Sequence, residues 1–239
     1  MAHLQKGQRR EDMHITANQV QVQVAPNIIL EGNLNIPENA QGVVLFAHGS
    51  GSSRHSPRNQ YVARVLQNAG FATLLIDLLT PREEAEDQHT AHLRFDIPLL
   101  SERVVGAANW LTTNADTANL KTGCFGASTG AAAALVAAAG LPLQIGAVVS
   151  RGGRPDLAGS KLTEVLAPTL LIVGGNDTQV IELNRMALSP LRGPKQIEIV
   201  PGATHLFEES GALEKVAQLA SQWFTRYLAA NPQTEGTLR

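Results

Sequence analysis

Short apolar runs alternate with longer helical stretches along most of the chain. The stretch "QVQVQV" at 19–24 alternates polar and apolar residues strictly, which is typical of a half-exposed strand. A Pro-Asn turn separates it from "IILEGNLNIP" at 28–37, so the pair predicts an antiparallel hairpin at the edge of a sheet. Later runs are largely apolar on both faces, which fits parallel strands covered by helices on each side. These runs are 42–48, 71–77, 122–127, 145–150, 168–174 and 195–200.

Helical patterns fill the intervals between these runs and predict helices near 58–69, 93–113, 129–140, 179–190 and 210–229. The alternation predicts an α/β protein with a doubly wound sheet. Because no Pro/Gly-rich linker divides the chain, we expect one domain over 15–229. Poorly ordered tails are expected at 1–14 and 230–239. The acidic stretch "REEAEDQ" at 82–88 is interpreted as a solvated loop.

Composition and charge exclude several classes of protein. Hydrophobic residues make up 44% of the 239 and charged residues 17%, so the chain can bury a sizeable core. A formal net charge of −2 provides no basic field for nucleic acid or an anionic membrane. The single cysteine, Cys124, permits neither an intrachain disulfide nor a thiolate zinc cluster. The first residues lack the apolar core of a signal peptide, so a cytoplasmic protein is expected.

A serine between two glycines follows the run at 122–127. The stretch "GASTG" places Ser128 between Gly126 and Gly130, just before an alanine-rich segment. Such a strand-to-helix turn is typical of a nucleophile elbow, which exposes its central hydroxyl at a helix N-terminus. The alternative is a close-packed turn without chemistry.

Two further residues follow predicted strands and could complete a catalytic triad. Asp177 comes after the run 168–174, where it could orient a histidine or simply cap a helix. His205 comes after the run 195–200 and could act as general base, or be a surface residue. The chain order Ser128, Asp177, His205 is that of the α/β-hydrolases, which favours the catalytic interpretation.

The loop "HGSGSS" after the run 42–48 could supply one side of an oxyanion hole. We expect the backbone amide of Ser50 to act there with the amide of Thr129. A phosphate-binding glycine loop is disfavoured, because neither the P-loop lysine nor a dinucleotide fingerprint is present. His48 is expected to brace the loop through hydrogen bonds. No pair of histidines has metalloprotease spacing, so neither a catalytic metal nor a cofactor is predicted.

Together the chain resembles the dienelactone-hydrolase-like branch of the α/β-hydrolase superfamily, and in particular domains sometimes attached to phosphoribosyltransferases. The motifs that carry the resemblance are "HGSGSSRHSPRN", "LLTPREE", "LRFDIPLL", "FGASTGAAAAL", "SRGGRPDLA", "VGGNDTQVIELN" and "PGATHLFEE", within about residues 18–228. The resemblance implies an eight-stranded, mostly parallel sheet with helices on both faces, and Ser128, Asp177 and His205 as triad. Authentic dienelactone hydrolases carry cysteine at the elbow, whereas Cys124 here lies within the preceding strand and is interpreted as an apolar filler.

Substrate selection is less well indicated. Arg54, Arg58, Arg151 and Arg154 follow strand ends on the expected active face and could bind a carboxylate or phosphate. Alternatively, the last two pair with Asp156, Asp177 or nearby glutamates to fix loops. The roughly 17 residues between "AVVS" and "APTLLIVG" leave no room for a lid domain, so an open, shallow site is expected.

The sequence therefore predicts a serine hydrolase that cleaves a small ester, thioester or lactone through an acyl-enzyme. We expect a small-molecule acyl substrate as the partner, and neither a nucleic acid nor a membrane. The sequence leaves open whether the chain forms a homo-oligomer. The alternatives are a non-catalytic binding or regulatory module with the same fold, and an acyltransferase.

Overall fold

Eight strands form one open sheet in the structure, a computed structural model that describes residues 18–229. The sheet order is β1-β2-β4-β3-β5-β6-β7-β8. Strands β1 and β2 form an antiparallel hairpin, β2 pairs antiparallel with β4, and the remaining pairs are parallel. The strands are β1 (Asn18–Ala25), β2 (Ile28–Asn35), β3 (Val43–Ala47), β4 (Ala72–Ile76), β5 (Thr122–Ala127), β6 (Ile145–Arg151), β7 (Thr169–Gly174) and β8 (Lys195–Val200).

Helices cover both faces of this sheet and bury two apolar layers. On one face α1 and α6 pack over a layer that includes Phe46 and Phe125, whose rings lie 4.9 Å apart. On the other face α3 and α4 pack over a layer rich in alanine and leucine. The helices are α1 (Pro57–Asn68), α2 (Pro81–Thr90), α3 (Ile97–Thr113), α4 (Thr129–Gly140), α5 (Thr178–Leu188) and α6 (Ala212–Leu228).

The predicted α/β-hydrolase sheet is confirmed, and strands and helices begin and end close to the predicted residues. Both faces of β3, β4, β5 and β7 are fully buried, which explains why these strands are apolar without alternation. Between β6 and β7 the chain forms only a short 3-10 segment, Pro155–Glu164. The tails predicted at 1–14 and 230–239 lie outside the described residues.

The prediction of a solvated loop at 82–88 is wrong, because this stretch lies in α2. Thr80 caps the helix: its side chain accepts from the Glu83 amide, and the Glu83 carboxylate accepts from the Thr80 amide. Pro81 occupies the first helical position, where its missing N–H costs nothing. The sequence "TPRE" carries this capping box, and local capping therefore outweighs the acidic composition.

Within residues 18–229, none of the helices combines the length and apolarity needed to cross a bilayer.

Candidate active site

Ser128 lies at the tip of a sharp turn between β5 and α4. Its backbone angles are φ 49° and ψ −122°, a region that residues with a side chain rarely adopt. A Cβ on Gly126 would lie 2.4 Å from the Cα of Ala131, and one on Gly130 would lie 2.2 Å from the carbonyl oxygen of Ala47. Glycine at both positions therefore lets the turn close on itself and pack against the end of β3.

Asp177 and His205 are in direct contact. The Nδ1 of His205 lies 2.6 Å from Oδ2 of Asp177. Asp177 is the N-cap residue of α5, yet among the described residues its side chain makes no capping hydrogen bond, so the carboxylate does not serve as the cap of this helix. With Nδ1–H donating to the carboxylate, Nε2 of the half-exposed imidazole is left as an acceptor.

The loops that carry these two residues are joined by backbone contacts. The amide of Asn176 donates to the carbonyl of Ala203 at 2.9 Å, and its side-chain amide donates to the carbonyl of Gly202 at 2.8 Å. A Cβ on Gly174 would lie 2.5 Å from the carbonyl oxygens of Ala203 and Thr204. The β7–α5 and β8–α6 loops thus approach as closely as backbone permits, and this fixes the aspartate relative to the histidine.

Ser128 and His205 lie at the same rim of the sheet on either side of the end of β6. The Ser128 amide donates to the carbonyl of Arg151 at 3.4 Å, and a Cβ on the next residue, Gly152, would lie 3.7 Å from Cε1 of His205. Within residues 18–229 no hydrogen bond joins the Ser128 hydroxyl to the imidazole. Such catalytic hydrogen bonds are often long without substrate and shorten when it binds.

Ser50 and Thr129 line one small cavity beside the elbow. Their loops are in contact, since a Cβ on Gly49 would lie 2.8 Å from Cβ of Ser128. In the described part of the chain, no carbonyl accepts a hydrogen bond from the backbone amide of Ser50 or of Thr129. Both amides are therefore available as donors next to the serine.

His48 holds the loop before Ser50 through both ring nitrogens. The Leu78 amide donates to its Nε2 at 3.0 Å, so Nδ1 carries the proton and donates to the carbonyl of Gly49 at 2.9 Å. Burial lowers the pKa of this histidine, and it outweighs the opposite effects of the Gly49 carbonyl and the nearby carboxylates of Asp77 and Glu84. The imidazole is therefore neutral and positions the loop.

The four arginines have different surroundings. Arg54 is held by the carboxylates of Asp77 and Glu31, and Arg154 donates twice to Asp156 at 2.8 and 2.9 Å. The other two, Arg58 and Arg151, are close to each other near the start of α1. Arg58 reaches one exposed carboxylate, whereas Arg151 contacts none among the described residues.

Cys124 is fully buried within β5, and burial raises the pKa of its thiol to about 12. A thiol in this state remains protonated at neutral pH and carries no nucleophilic thiolate.

A cavity of about 180 Å³ adjoins the loop after β3, which carries Ser50, and it shares His48 and Ser52 with the smaller cavity. Its wall includes Pro81 and Glu84 of α2, which the sequence reasoning missed because it placed no helix there. The "TPRE" capping box would have indicated that helix. Phe207, which has φ 57°, was also missed. Its ring is buried against Gly152 and so anchors the loop of His205.

Comparison with known proteins agrees with this architecture. The dienelactone hydrolase family model matches residues 30–229. A crystal structure described as dienelactone hydrolase from Anabaena variabilis is 63% identical, covers 89% of this chain and 98% of its own, and superimposes with a TM-score of 0.88. Est1E from Butyrivibrio proteoclasticus is 15% identical over 88% of this chain and 98% of its own, with a TM-score of 0.72, and shares the fold.

A longer relative is also similar. A Mycobacterium tuberculosis (strain H37Rv) protein named "Putative phosphoribosyl transferase Rv0571c" is 57% identical over 217 residues. The match covers 91% of this chain but 48% of that protein, so the chain spans about half the length of the curated relative.

The family match covers most of the described residues, and the eight-stranded sheet agrees with the fold of the similar crystal structure. The chain therefore belongs to the dienelactone hydrolase family and has the α/β-hydrolase fold.

Proposed function

We propose that this protein is a serine hydrolase that cleaves small esters, thioesters or lactones through an acyl-enzyme. The observation that carries the proposal is the 2.6 Å hydrogen bond between His205 and Asp177, at the same rim of the sheet as the elbow that holds Ser128 at φ 49°. A close-packed turn without chemistry would need neither the strained serine nor the oriented imidazole.

Acylation uses the three side chains in sequence. Nε2 of His205 accepts the hydroxyl proton as Oγ of Ser128 bonds to the carbonyl carbon of the substrate. Asp177 stabilises the imidazolium that forms, and the amides of Ser50 and Thr129 donate to the developing oxyanion. The bond to the leaving group then breaks, and the imidazolium returns its proton to the departing alcohol or thiol.

Deacylation repeats these steps with water. His205 accepts a proton from the attacking water, which bonds to the acyl carbon and releases Ser128 with that proton restored. The product is a carboxylic acid, and no cofactor takes part. The short 3-10 segment between β6 and β7 leaves the site open, which favours small, soluble substrates.

The longer relatives are named for phosphoribosyl transfer, whereas the hydrolase family model matches residues 30–229 of this chain, within the half of those proteins that it resembles. We propose that the matched half of those proteins is a hydrolase domain like this chain.

Covalent labelling tests the nucleophile. A fluorophosphonate probe is expected to add once, to Ser128, and intact-mass and peptide mass spectrometry will locate the adduct. Ser128→Ala should abolish both labelling and hydrolysis of p-nitrophenyl acetate, whereas Ser160→Ala, on the exposed 3-10 segment, should change neither. An adduct elsewhere, or full activity in Ser128→Ala, would contradict the proposal.

Removal of the orienting carboxylate tests the triad. Asp177→Asn is expected to lower kcat by up to about 10⁴-fold, because the amide favours the wrong imidazole tautomer. The exposed carboxylate of Glu182, on the same helix, offers a matched control in Glu182→Gln. Equal activities of the two variants in steady-state kinetics would exclude a role for Asp177.

A further inference from the structure

Arg151 is a buried cation that no carboxylate of the described residues neutralises. It ends β6 and is 7% exposed, and its Nε and Nη1 have no hydrogen-bond partner in the part of the chain that the structure describes. Its Nη2 makes only a long contact of 3.5 Å with Oδ1 of Asn59. Isolated buried charges are costly, so a native structure normally pairs them or uses them to bind something.

The lack of a partner sets Arg151 apart. Within residues 18–229 no carboxylate oxygen lies within 4.0 Å of its guanidinium. The other arginines with low side-chain exposure each pair with a carboxylate, as in Arg54–Asp77, Arg94–Asp87 and Arg103–Glu83.

A second cation lies beside it. Burial lowers the pKa of Arg151 to about 10, and the nearby charge of Arg58 contributes to this shift, so Arg151 is still charged at neutral pH. In the described part of the chain, the Nε of Arg58 is also buried without a hydrogen-bond partner. Its Nη1 donates to Glu208 at 3.1 Å, but that carboxylate is 65% exposed and can leave.

The start of α1 adds to the positive potential. Arg58 is the second residue of this 12-residue helix, and Arg151 reaches toward Asn59 in the same turn. The first turn contains no acidic residue that would offset the positive end of the helix dipole.

This cluster adjoins the candidate triad on two sides. The carbonyl of Arg151 accepts from the Ser128 amide, and Gly152 lies against His205. Glu208, which contacts Arg58, follows His205 by three residues. The cluster is thus joined through the backbone to both the elbow and the histidine loop.

We propose that Arg151 and Arg58, at the start of α1, form a subsite for a dianionic phosphate group of the substrate. Two adjacent guanidinium groups are neutralised by a phosphate monoester, whose charge at neutral pH is about −1.5 to −2. Its three terminal oxygens can accept from guanidinium N–H groups of Arg151 and Arg58 that find no partner among residues 18–229, and from the group of Arg58 that Glu208 would release. A carboxylate supplies one charge and two oxygens. The substrate role depends on the proposed hydrolase function, whereas phosphate binding does not.

Binding is measured with inorganic phosphate on the full chain by isothermal titration calorimetry at constant ionic strength. We expect saturable binding that Arg151→Met weakens by about 10-fold or more, the value of a charge-assisted hydrogen bond or two. Arg58→Gln should weaken it similarly and keeps the test valid if the buried substitution unfolds the protein. Glu208→Gln should strengthen binding by freeing Arg58, and the remote, exposed Arg185→Gln should leave it unchanged.

Kinetics identify the substrate group. Phenyl acetate, 4-carboxyphenyl acetate and 4-phosphonooxyphenyl acetate share an acyl group and differ in charge. The phosphorylated ester should have the highest kcat/KM, and Arg151→Met or Arg58→Gln should remove this preference through KM.

The two assays separate the possible failures. Absence of phosphate binding, or equal binding by wild type and both arginine variants, overturns the subsite. An equal or greater preference for the carboxylated ester overturns the assignment of phosphate. If phosphate binds as expected, in Ser128→Ala as in wild type, while none of the three esters is hydrolysed, then the hydrolase proposal fails and the anion site stands.

Discussion

The positive φ of Ser128 costs about 1–3 kcal/mol of conformational free energy, and hydrogen bonds to neighbouring residues hold the backbone in this conformation. Its carbonyl accepts from the amides of Ala131 at 3.1 Å and Arg154 at 3.0 Å. Its own amide donates to the carbonyl of Arg151. The strained angle is thus maintained by bonds to α4 and to the end of β6 with the residues just after it, which holds the partly exposed Ser128 at the rim.

His48 shows how a buried neutral histidine couples stability to pH. Protonation would place a hydrogen on Nε2, where the Leu78 amide already donates, and would also bury a charge. The pKa of His48 is therefore below its ordinary value of 6.5 in the folded protein, while the unfolded chain titrates normally.

This difference predicts a loss of stability in mild acid. The unfolded state gains a proton as pH falls through about 6.5 and the folded state does not, so the free energy of unfolding declines below that pH until the folded pKa is reached. Urea unfolding between pH 7.5 and 5.5 should show a smaller decline in His48→Gln than in wild type. The exposed His92→Gln should decline as wild type does, and an identical decline in all three proteins would contradict the prediction.

At the level of elements, α2 shows that N-terminal capping can stabilise a helix that buries few of its residues. Its composition is acidic and polar, and Asp87 is its one buried residue. The reciprocal bonds between Thr80 and Glu83 satisfy orphan amides of the first turn, and Asp87 accepts from the amides of Leu93 and Arg94. The capped helix contributes Pro81 and Glu84 to the wall of the 180 Å³ cavity beside the loop after β3.

Loss of the cap should destabilise this element measurably. Thr80→Ala is expected to lower the free energy of unfolding by about 1 kcal/mol, because the Glu83 amide loses its acceptor. The midpoint of urea unfolding should fall with no change in slope. Thr90→Ala, at the exposed other end of α2, provides the control, and a similar midpoint shift in both variants would argue against a specific capping effect.

At the scale of the whole molecule, the site depends on loops from distant parts of the chain meeting at one rim. At Gly152, which has φ 50°, the end of β6 and the loop of His205 approach each other closely. A Cβ added to this glycine would lie 2.9 Å from the carbonyl oxygen of His205. Any side chain there would push the histidine loop away from the elbow.

A pair of glycine substitutions separates this contact from backbone strain. Gly152→Ala should lower kcat on p-nitrophenyl acetate by about 10²-fold, since displacement of a catalytic group by about 1 Å has such an effect. Gly159 also has a positive φ, 56°, but an added Cβ would meet no atom within 4 Å. Gly159→Ala should therefore lose stability, by about 1–2 kcal/mol for a left-handed alanine, with kcat retained. Equal kcat in both variants would contradict the role of the contact.

Much of the fold could be predicted from local pattern, because the spacing of apolar residues in each strand and helix reflects which positions are buried. The fully apolar β3 and β7 and the alternating β1 were identified from periodicity alone. The chain order of Ser128, Asp177 and His205 was likewise sufficient to select the site residues, because parallel strands bring their carboxyl ends to one edge. Their catalytic roles stay predictions.

Contacts between side chains that lie far apart in the sequence could not be predicted. Arg154 pairs with Asp156, two positions along the chain, which the sequence offered as an alternative for both arginines. Arg151, three positions earlier at the end of β6, pairs with no carboxylate among the described residues. Which arginine finds a carboxylate depends on the direction of each side chain and on what α1 places opposite, and both are set by packing.

The sequence by itself determined the order of strands and helices, the sharp glycine-flanked turn at Ser128 and the choice of candidate catalytic side chains, because each is encoded in a few adjacent residues. Only the tertiary structure decided that Asp177 bonds His205 instead of capping α5, that His48 is neutral, and that Arg151 is buried beside Arg58. These outcomes follow from distances and desolvation between segments far apart in the chain, which no local pattern of residues specifies.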